Sequence, residues 1–414
     1  MKTIKGVLVL GILGLLMGSC KKDLTPKANE KVYGFTEIID TKTRDINFQE
    51  KKIYKTSDSV FASNMFDGAR LNNFYALNDS IYAVESFPEN EPINPSPWYA
   101  FKIWSKTQKK IYLVFEYGGS QHRYLPKLSK DGQTWTSADS SNLGKFKNNE
   151  MLTLKISSDT TWVSAQELFT EQELNNWLKE LSLKNQIVSI GNAGKSKLNR
   201  DLKYFEIGER SKKNKDLIVL FSRQHPPEVT GQFALTAFVN GILKTSKIQK
   251  DFFSKYNVLV FPMLNPDGVA LGHWRHNVGG IDLNRDWAEY NQPETKAVSD
   301  FVKKYAEANK NRVVLGLDFH STYSDVYYTN LSDSISVLPN FTSAWLKSIK
   351  DGLPGYTPKI SPSKIGQPVS KGWFFVNFNA VGITYEIGDD TPRDFIEEKG
   401  ELSALKMMEI LLQK

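Results

Sequence analysis

The sequence predicts an α/β fold in which a mixed, largely parallel sheet flanked by helices follows an antiparallel β-sandwich domain. Over residues 34–158, short aromatic and β-branched segments alternate with turn residues, which is typical of antiparallel sandwiches. From residue 159 to residue 414, apolar strand-like runs alternate with helical patterns instead. This alternation indicates buried strands that pair in parallel and are covered by helices on both faces.

The first 19 residues have the pattern of a signal peptide. Lys2 and Lys5 precede an apolar run, residues 6–16, that is short for a membrane span. Cys20 follows Leu-Met-Gly-Ser at the end of this run, which resembles the lipobox of bacterial lipoproteins. The resemblance implies a lipid anchor on Cys20 in a bacterial cell envelope, with residues 20–33 as a tether. The alternative is an ordinary signal peptide followed by a chance cysteine.

The charge pattern argues against a nucleic-acid partner. The chain has 53 Lys and Arg against 46 Asp and Glu, which gives a formal net charge of +7. No arginine-rich segment with interleaved aromatic residues accompanies this excess. The mild basicity is compatible with acidic substrates or with an anionic envelope surface. Because Cys20 is the only cysteine, no disulfide can form within the chain, and the core must supply the stability.

The predicted sandwich domain carries no candidate catalytic cluster. Its clearest strand patterns are residues 98–104, 110–117 and 151–156, where aromatic and β-branched residues partly alternate with polar ones. No group of acidic, His or Ser side chains stands out among them. We therefore expect this domain to have a structural or substrate-shaping role.

The second domain is predicted to begin with an amphipathic helix. Thr170 and Glu173 form a capping box, and the helical pattern continues to about Leu183. The further predicted strands are residues 187–190, 202–207, 217–221, 258–261, 313–319 and 382–386. The further predicted helices are residues 232–243, 294–308 and 391–412.

Four potential metal or acid–base residues lie in or directly after these apolar runs. His225 and Glu228 follow the run at 217–221, His320 ends the run at 313–319, and Glu386 ends the run at 382–386. Because ligands of open α/β sheets bind beyond the carboxyl ends of the strands, we expect these side chains at one edge. Two His and one Glu form a zinc set with an open position, which is typical of catalytic sites. A hydrogen-bonded core residue is the alternative for His320.

The second domain contains six short motifs with polar residues, namely His225-Pro-Pro-Glu228, Asn265-Pro-Asp-Gly268, Trp274-Arg275, Asp282-Leu-Asn-Arg285, Asp318-Phe-His-Ser321 and Thr384-Tyr-Glu386. They occur in the order seen in the zinc carboxypeptidases, the M14 peptidases, which the chain resembles from about residue 160 onward. Residues 261–269 and the β-rich domain in front are most similar to the cytosolic-carboxypeptidase branch. The resemblance implies a carboxypeptidase-like fold and zinc-dependent hydrolysis at the C-terminal peptide bond.

The resemblance also implies the residues that perform the metal chemistry. His225, Glu228 and His320 would hold one zinc ion, and Asp282 would orient the His225 ring from behind. Glu386 would act as general base toward the zinc-bound water and then as general acid toward the leaving amine. The alternative for Glu386 is an ion pair with the nearby Arg393.

Three further residues would bind the substrate. Arg275 would polarise the scissile carbonyl, while Asn284 and Arg285 would hold the free C-terminal carboxylate, which suits the planar fork of an arginine. Structural salt bridges are the alternative for both arginines. His273 and His276, on either side of Arg275, are expected to be exposed or to line the site.

The chain departs from the family pattern at two places. Family members carry a mobile Tyr near the substrate pocket, but residues 362–371 contain none, and Tyr356 is too far upstream to align. Lys371 falls near the position that sets side-chain preference, where a cation would favour an acidic C-terminal residue. The alternative for Lys371 is a solvated surface lysine.

Three functions therefore remain open at this point. The first is a metallocarboxypeptidase for peptides, with preference for acidic C-terminal residues. The second is an envelope amidase or peptidase acting on peptidoglycan stem peptides, which carry acidic units. The third is a non-catalytic peptide-binding protein on the same scaffold, which the presence of ligands, base and both arginines disfavours.

Overall fold

The computed structural model of the chain describes residues 34–209 and 212–414. The predicted signal peptide, the lipidation site Cys20 and the tether up to residue 33 lie outside these described residues. Within the described part of the chain, no helix combines the length and the apolar character that a membrane crossing requires.

The amino-terminal part of the described chain, up to Ser164, is a β-sandwich, as predicted. One sheet has the strand order β1-β2-β5-β11-β7-β8 and the other has the order β3-β4-β6-β10-β9. All neighbouring strands are antiparallel except β4 and β6, which run parallel. The strands are β1 (Ile53–Lys55), β2 (Val60–Ser63), β3 (Asn73–Ala76), β4 (Ile81–Glu85), β5 (Ala100–Ser105), β6 (Lys109–Glu116), β7 (Lys127–Ser129), β8 (Thr136–Ser137), β9 (Leu143–Phe146), β10 (Asn149–Ile156) and β11 (Thr161–Ser164).

The sandwich extends slightly beyond the predicted boundary at residue 158. Strand β11 pairs with β5 and with β7, so the sandwich includes the chain up to Ser164. Side chains from both sheets meet in one apolar core, in which Phe101, Leu113 and Val163 are fully buried. The aromatic residues that predicted the strands therefore mainly fill this core, as expected for large apolar side chains.

The helix that opens the second domain begins at its predicted cap. Helix α1 (Glu171–Lys184) follows Thr170, and the backbone N–H of Thr170 donates to Glu173 Oε2 at 2.7 Å, which completes the capping box. Leu174, Leu178 and Leu181 are buried on one face at helical spacing.

An eight-stranded mixed sheet forms the centre of the second domain, with the order β12-β13-β15-β14-β16-β19-β17-β18. The four central strands β15, β14, β16 and β19 are parallel to one another, while β13 and β17 join them as antiparallel neighbours. The strands are β12 (Val188–Lys195), β13 (Asp201–Ile207), β14 (Asp216–Ser222), β15 (Tyr256–Phe261), β16 (Arg312–Thr322), β17 (Val326–Asn330), β18 (Ile360–Ser363) and β19 (Val381–Gly388).

Helices cover both faces of this sheet, and this explains the continuous apolar runs in the sequence. Ile218 and Leu220 pack into one core, together with α1, α2, α3, α6 and α8. Leu217, Val219 and Phe221 pack into the opposite core, with α5 and α7. The helices are α2 (Val229–Leu243), α3 (Lys247–Lys255), α4 (Pro266–Leu271), α5 (Pro293–Asn309), α6 (Phe341–Gly352), α7 (Ser370–Phe378) and α8 (Arg393–Leu412).

A close contact between α2 and β16 determines where the site lies. A Cβ atom on Gly231 would lie 2.7 Å from the carbonyl oxygen of His320, so only glycine allows this approach. The N–H of Gly231 donates to Ser321 Oγ at 2.8 Å, which fixes the first turn of α2 against the strand. His320 does not end its strand as expected, because β16 continues to Thr322.

Candidate metal centre and active site

Three potential metal ligands meet at the carboxyl end of the central strands. His225 and Glu228 lie on the connection between β14 and α2, and His320 lies near the end of β16. Glu228 is 2.7 Å from Nδ1 of His225 and 2.6 Å from Nδ1 of His320. One donor atom from each of the three residues lies within 4.8 Å of the others, and all three residues are buried. The structure thus brings together the predicted ligand set.

The second ring nitrogen of each histidine is held by a carboxylate. His225 Nε2 is 2.8 Å from Asp282 Oδ1, as the sequence predicted, and His320 Nε2 is 2.8 Å from Asp318 Oδ2. With a metal bound at Nδ1, each neutral ring would keep its proton on Nε2, where these carboxylates can accept it. Both imidazoles therefore have the carboxylate support that metal-binding histidines usually have.

The charge of the cluster suits a cation such as zinc. Burial opposes the ionisation of Glu228, but the imidazoles of His225 and His320 hold its pKa well below the ordinary value. Burial also opposes protonation of His320, yet Asp318 and Glu228 raise its pKa well above the ordinary value. The cluster thus favours positive charge at its centre, and its two nitrogens and one carboxylate are donors that zinc accepts.

Glu386 lies beside this cluster because of the strand register. In the parallel pair β16–β19, Glu386 is the register partner of His320, so both side chains point to the same face of the sheet. Glu386 Oε2 is buried and has no hydrogen-bond partner among the described residues. Burial, and then the negative charge of Glu228, raise the pKa of Glu386 to about 7. The alternative ion pair is wrong, because Arg393 pairs with Glu167 instead.

Asp282 connects the metal ligands to Arg275, the arginine predicted to bind the substrate. Its Oδ1 accepts the N–H of Asn284 at 2.8 Å, and its Oδ2 accepts Nε of Arg275 at 2.8 Å. Arg275 is buried, and its Nη atoms have no hydrogen-bond partner among the described residues. The salt bridge proposed as the alternative for Arg275 therefore exists, but it leaves one edge of the guanidinium available for a substrate.

A cavity of about 400 Å³ joins the remaining predicted residues to the metal cluster. Asn284, Arg285 and Lys371 line it together with the three ligands, Arg275 and Glu386. The Arg285 side chain is 41% exposed, and its Nη1 is 4.0 Å from Asp282. Asn284 Oδ1 accepts the N–H of Ser370 at 2.9 Å, which orients its amide group.

Lys371 is not a surface lysine, since the residue is only 3% exposed. Its Nζ donates to Ser363 Oγ at 2.7 Å and lies 3.4 Å from Asn330 Oδ1, and no carboxylate pairs with it among the described residues. Burial lowers the pKa of Lys371 to about 8. The cavity therefore contains a cation without a counterion.

The expectation for His273 and His276 is wrong, because both are buried and neither lines the cavity. His276 Nδ1 is 2.7 Å from Asn90 Oδ1, a residue of the sandwich domain. His273 Nδ1 is 2.9 Å from the carbonyl oxygen of His276. These two imidazoles fix the segment around Arg275 and do not face the site.

Several residues of the site were not assigned a role from the sequence. Asp318 could have been found, because it lies two positions before His320 on one strand and so faces the same side. Asn94 and Arg123 line the cavity from the sandwich domain, and Tyr328 lines it from β17. No local pattern marks these three, since only the packing of distant segments brings them to the cavity.

The family model for zinc carboxypeptidases, Peptidase_M14, matches residues 174–402, which is more than half of the chain. The chain belongs to this family. Among curated relatives, cytosolic carboxypeptidase 2 of Homo sapiens is 32% identical over 109 residues. This match spans 26% of the chain but only 12% of the human protein, so the chain covers a small part of that relative's length.

Solved structures share the fold over most of the chain. The metallo-carboxypeptidase from Burkholderia cenocepacia superposes with a TM-score of 0.69 at 16% identity, and the match covers 86% of this chain and 98% of that one. The metallo-carboxypeptidase from Pseudomonas aeruginosa, solved in complex with (2-guanidinoethylmercapto)succinic acid, superposes with a TM-score of 0.67 at 16% identity, covering 84% and 98%. These likenesses confirm the carboxypeptidase-like α/β fold preceded by a β-domain.

Removing the carboxylate behind His320 should weaken zinc binding. We expect Asp318→Asn to lower zinc affinity about 10- to 100-fold, because Asp318 holds Nε2 of a ligand ring. Competition against a chelator at pH 7 measures this affinity. The control is Asp300→Asn on α5, whose side chain is 47% exposed. Equal zinc affinity in the two variants would show that Asp318 does not support the ligand.

Proposed function

We propose that this protein is a zinc-dependent metallocarboxypeptidase that removes acidic residues from the C-termini of peptides. The observation that carries the proposal is the shared cavity. It holds three metal ligands, a buried carboxylate in register with one of them, and cations suited to a free chain end. The family membership of the chain supports the same reaction.

The metal ligands and Glu386 would act together on a water molecule. Zinc held by His225, Glu228 and His320 would supply a Lewis acid and lower the pKa of water. Glu386 would accept a proton from the attacking water through its unpartnered Oε2 and pass it to the leaving amine. Burial and the charge of Glu228 raise the pKa of Glu386 to about 7, so near neutral pH its carboxylate can accept the proton and its acid form can return it.

Arg275 would stabilise the negative charge that develops on the carbonyl oxygen. Asp282 holds the guanidinium through Nε, so the Nη atoms can donate toward the substrate. A donor fixed in advance at that place costs no reorganisation during the reaction, and for this reason such donors contribute strongly to rate.

Selection of a chain end would depend on Asn284 and Arg285. Arg285 is the most exposed of the three arginines that line the cavity, and its carboxylate neighbour Asp282 is 4.0 Å away. A free C-terminal carboxylate can bind such a guanidinium bidentately, whereas an internal peptide bond offers no charge. This difference would restrict cleavage to the last residue.

Lys371 would select an acidic side chain at that last residue. A buried ammonium without a counterion is unfavourable, and a substrate carboxylate would supply the missing charge. Peptidoglycan stem peptides also carry acidic units, so they are a second substrate class that the same lysine would favour.

Glu386→Gln should abolish turnover while the site keeps its zinc. We expect kcat to fall at least about 100-fold, because the amide cannot accept a proton from water. Release of C-terminal Glu, followed by mass spectrometry, measures the rate, and metal analysis measures zinc. Glu398→Gln, on the exposed side of α8, is the control. Undiminished activity in Glu386→Gln would refute the assigned base. A wild-type protein that binds zinc and peptides but never cleaves them would instead be a binding protein.

Lys371→Met should remove the preference for acidic residues. We expect kcat/KM for C-terminal Glu over Leu to fall about tenfold or more, as the attracting cation is lost. In the unmutated protein Lys371 is charged below its pKa of about 8, so the Glu preference should be constant below that pH and decline as pH rises through it. The measurement is the Glu-to-Leu ratio from pH 6 to 10.

The control for this measurement is Lys347→Met, a residue of α6 whose side chain is 74% exposed. It should keep both the ratio and its pH dependence. A Lys371→Met variant with an unchanged ratio would refute the role in specificity. Muropeptides assayed beside C-terminal-Glu peptides would decide which of the two acidic substrate classes is used faster.

We also propose that the enzyme is anchored in the bacterial cell envelope through a lipid on Cys20, on the strength of the lipobox-like sequence. In such a protein the acyl chains on the cysteine hold the chain at the membrane, because two lipid chains give stable anchoring. Cys20→Ser should therefore move the protein from the membrane fraction to the soluble fraction of expressing cells. An unchanged distribution would contradict the lipid anchor.

A further inference from the structure

We infer that the β-sandwich contributes to catalysis, because its residue Glu89 positions Arg275 for the reaction. The inference rests on the proposed function, because it assigns Glu89 a role through the group that stabilises the carbonyl oxygen. Glu89 would be a positioning residue, since it lines neither the cavity nor the metal cluster.

Glu89 binds three consecutive backbone N–H groups of the segment that carries Arg275. Its Oε2 accepts from Trp274 at 2.7 Å, and its Oε1 accepts from Arg275 at 3.0 Å and from His276 at 2.5 Å. The side chain is completely buried. Burial opposes its ionisation, but nearby His273 and Arg70 lower the pKa of Glu89 below its ordinary value. Hydrogen bonds to an ionised acceptor are stronger than neutral ones, so Glu89 holds these three N–H groups strongly.

The sandwich also takes up the side chain that precedes Arg275. Trp274 is fully buried and belongs to the apolar core of the sandwich, not to the cores of the second domain. Its indole N–H lies 3.1 Å from both Ser86 Oγ and the carbonyl oxygen of Trp98. The residue next to the reacting arginine is therefore anchored in the other domain.

Asn90 holds the same segment at a second place. Its Oδ1 is 2.7 Å from His276 Nδ1, and its Nδ2 donates to the carbonyl oxygen of Gly280 at 3.1 Å. Glu89 and Asn90 thus bind residues 274–280 from one loop between β4 and β5. Asp282, which accepts a hydrogen bond from Nε of Arg275, lies two residues after this segment.

Arg275 is consequently fixed from both ends. Its backbone N–H binds Glu89 of the sandwich, and its guanidinium binds Asp282 of the second domain. A change of about 1 Å in the position of a reacting group can cost about 100-fold in rate. The hydrogen bonds from the backbone to Glu89 should therefore affect catalysis, because they set the position of the Arg275 guanidinium.

The contacts of Glu89 and Asn90 could serve only to join the two domains. A second contact between the domains allows this structural role to be distinguished from a role in positioning Arg275. Arg123 of the sandwich pairs with Asp389 at 2.8 Å, so the domains are also joined away from Glu89. If Glu89 acts through Arg275, its loss should lower kcat more than it affects KM or zinc content. Simple domain attachment predicts no such selectivity.

A double-mutant cycle with Glu89→Gln and Arg275→Lys in the full-length zinc-loaded enzyme tests the inference. The measurements are kcat and KM for a C-terminal-Glu peptide, together with zinc content. We expect Glu89→Gln to lower kcat about 10- to 100-fold, with KM within about threefold of the unmutated value and zinc unchanged. In the Arg275→Lys background, we expect Glu89→Gln to lower kcat by less than about threefold, since coupled residues are non-additive. Glu50→Gln, whose side chain is 72% exposed, is the matched control and should leave kcat unchanged.

Two results would overturn the inference: an unchanged kcat in Glu89→Gln, or losses that multiply in the double variant. If Arg275→Lys itself keeps full activity, the role of Arg275 in the proposed function fails. This result differs from losses that multiply, in which both single variants are less active than the unmutated enzyme. Should Glu89→Gln not fold, Asn90→Ala takes its place under the same criteria, because it releases His276 and Gly280 from the same segment.

Discussion

The site is built around buried negative charge that needs a cation. Glu228, Asp318 and Asp282 surround the two imidazoles, and Glu386 adds a fourth carboxylate beside them. Buried carboxylates without compensating charge are costly. Among the described residues, Arg275 pairs with Asp282 at 2.8 Å, and Arg285 lies 4.0 Å from the same carboxylate. A divalent cation at the three ligands would neutralise the cluster. Burial, together with the negative charge of Glu228, also explains why the pKa of Glu386 is raised to about 7.

Sheet geometry places His320 and Glu386 side by side, and the connection between β14 and α2 adds His225 and Glu228. The parallel register of β16 and β19 puts Glu386 next to His320, and the close approach of α2 at Gly231 brings Glu228 onto the same pair. Three of the chemically active residues therefore lie on or next to rigid elements. Groups held in this way keep their distances during turnover, which is what acid–base chemistry at a metal requires.

The β-sandwich changes how the second domain should be understood. It contributes Asn94 and Arg123 to the cavity wall, takes Trp274 into its own core and binds the backbone around Arg275 through Glu89. The domain was expected from its sequence to have a structural or substrate-shaping role, and its contacts hold the segment that carries Arg275. The active site belongs to the interface of the two domains as much as to the sheet edge, and this agrees with the usual place of ligand sites between domains.

The sheet, its helical cover and the polar residues that follow its central strands could be predicted from the amino-acid sequence. These are local properties, because apolar runs, capping signals and the positions of His225, Glu228, His320 and Glu386 can be read within short windows. The folded structure was needed to show that Lys371 is buried with no counterion among the described residues, that Arg393 pairs with Glu167 and that Glu89 binds the Arg275 segment. Each of these facts depends on contacts between residues that are far apart in the chain, and no local pattern encodes which distant partner a charged side chain will meet.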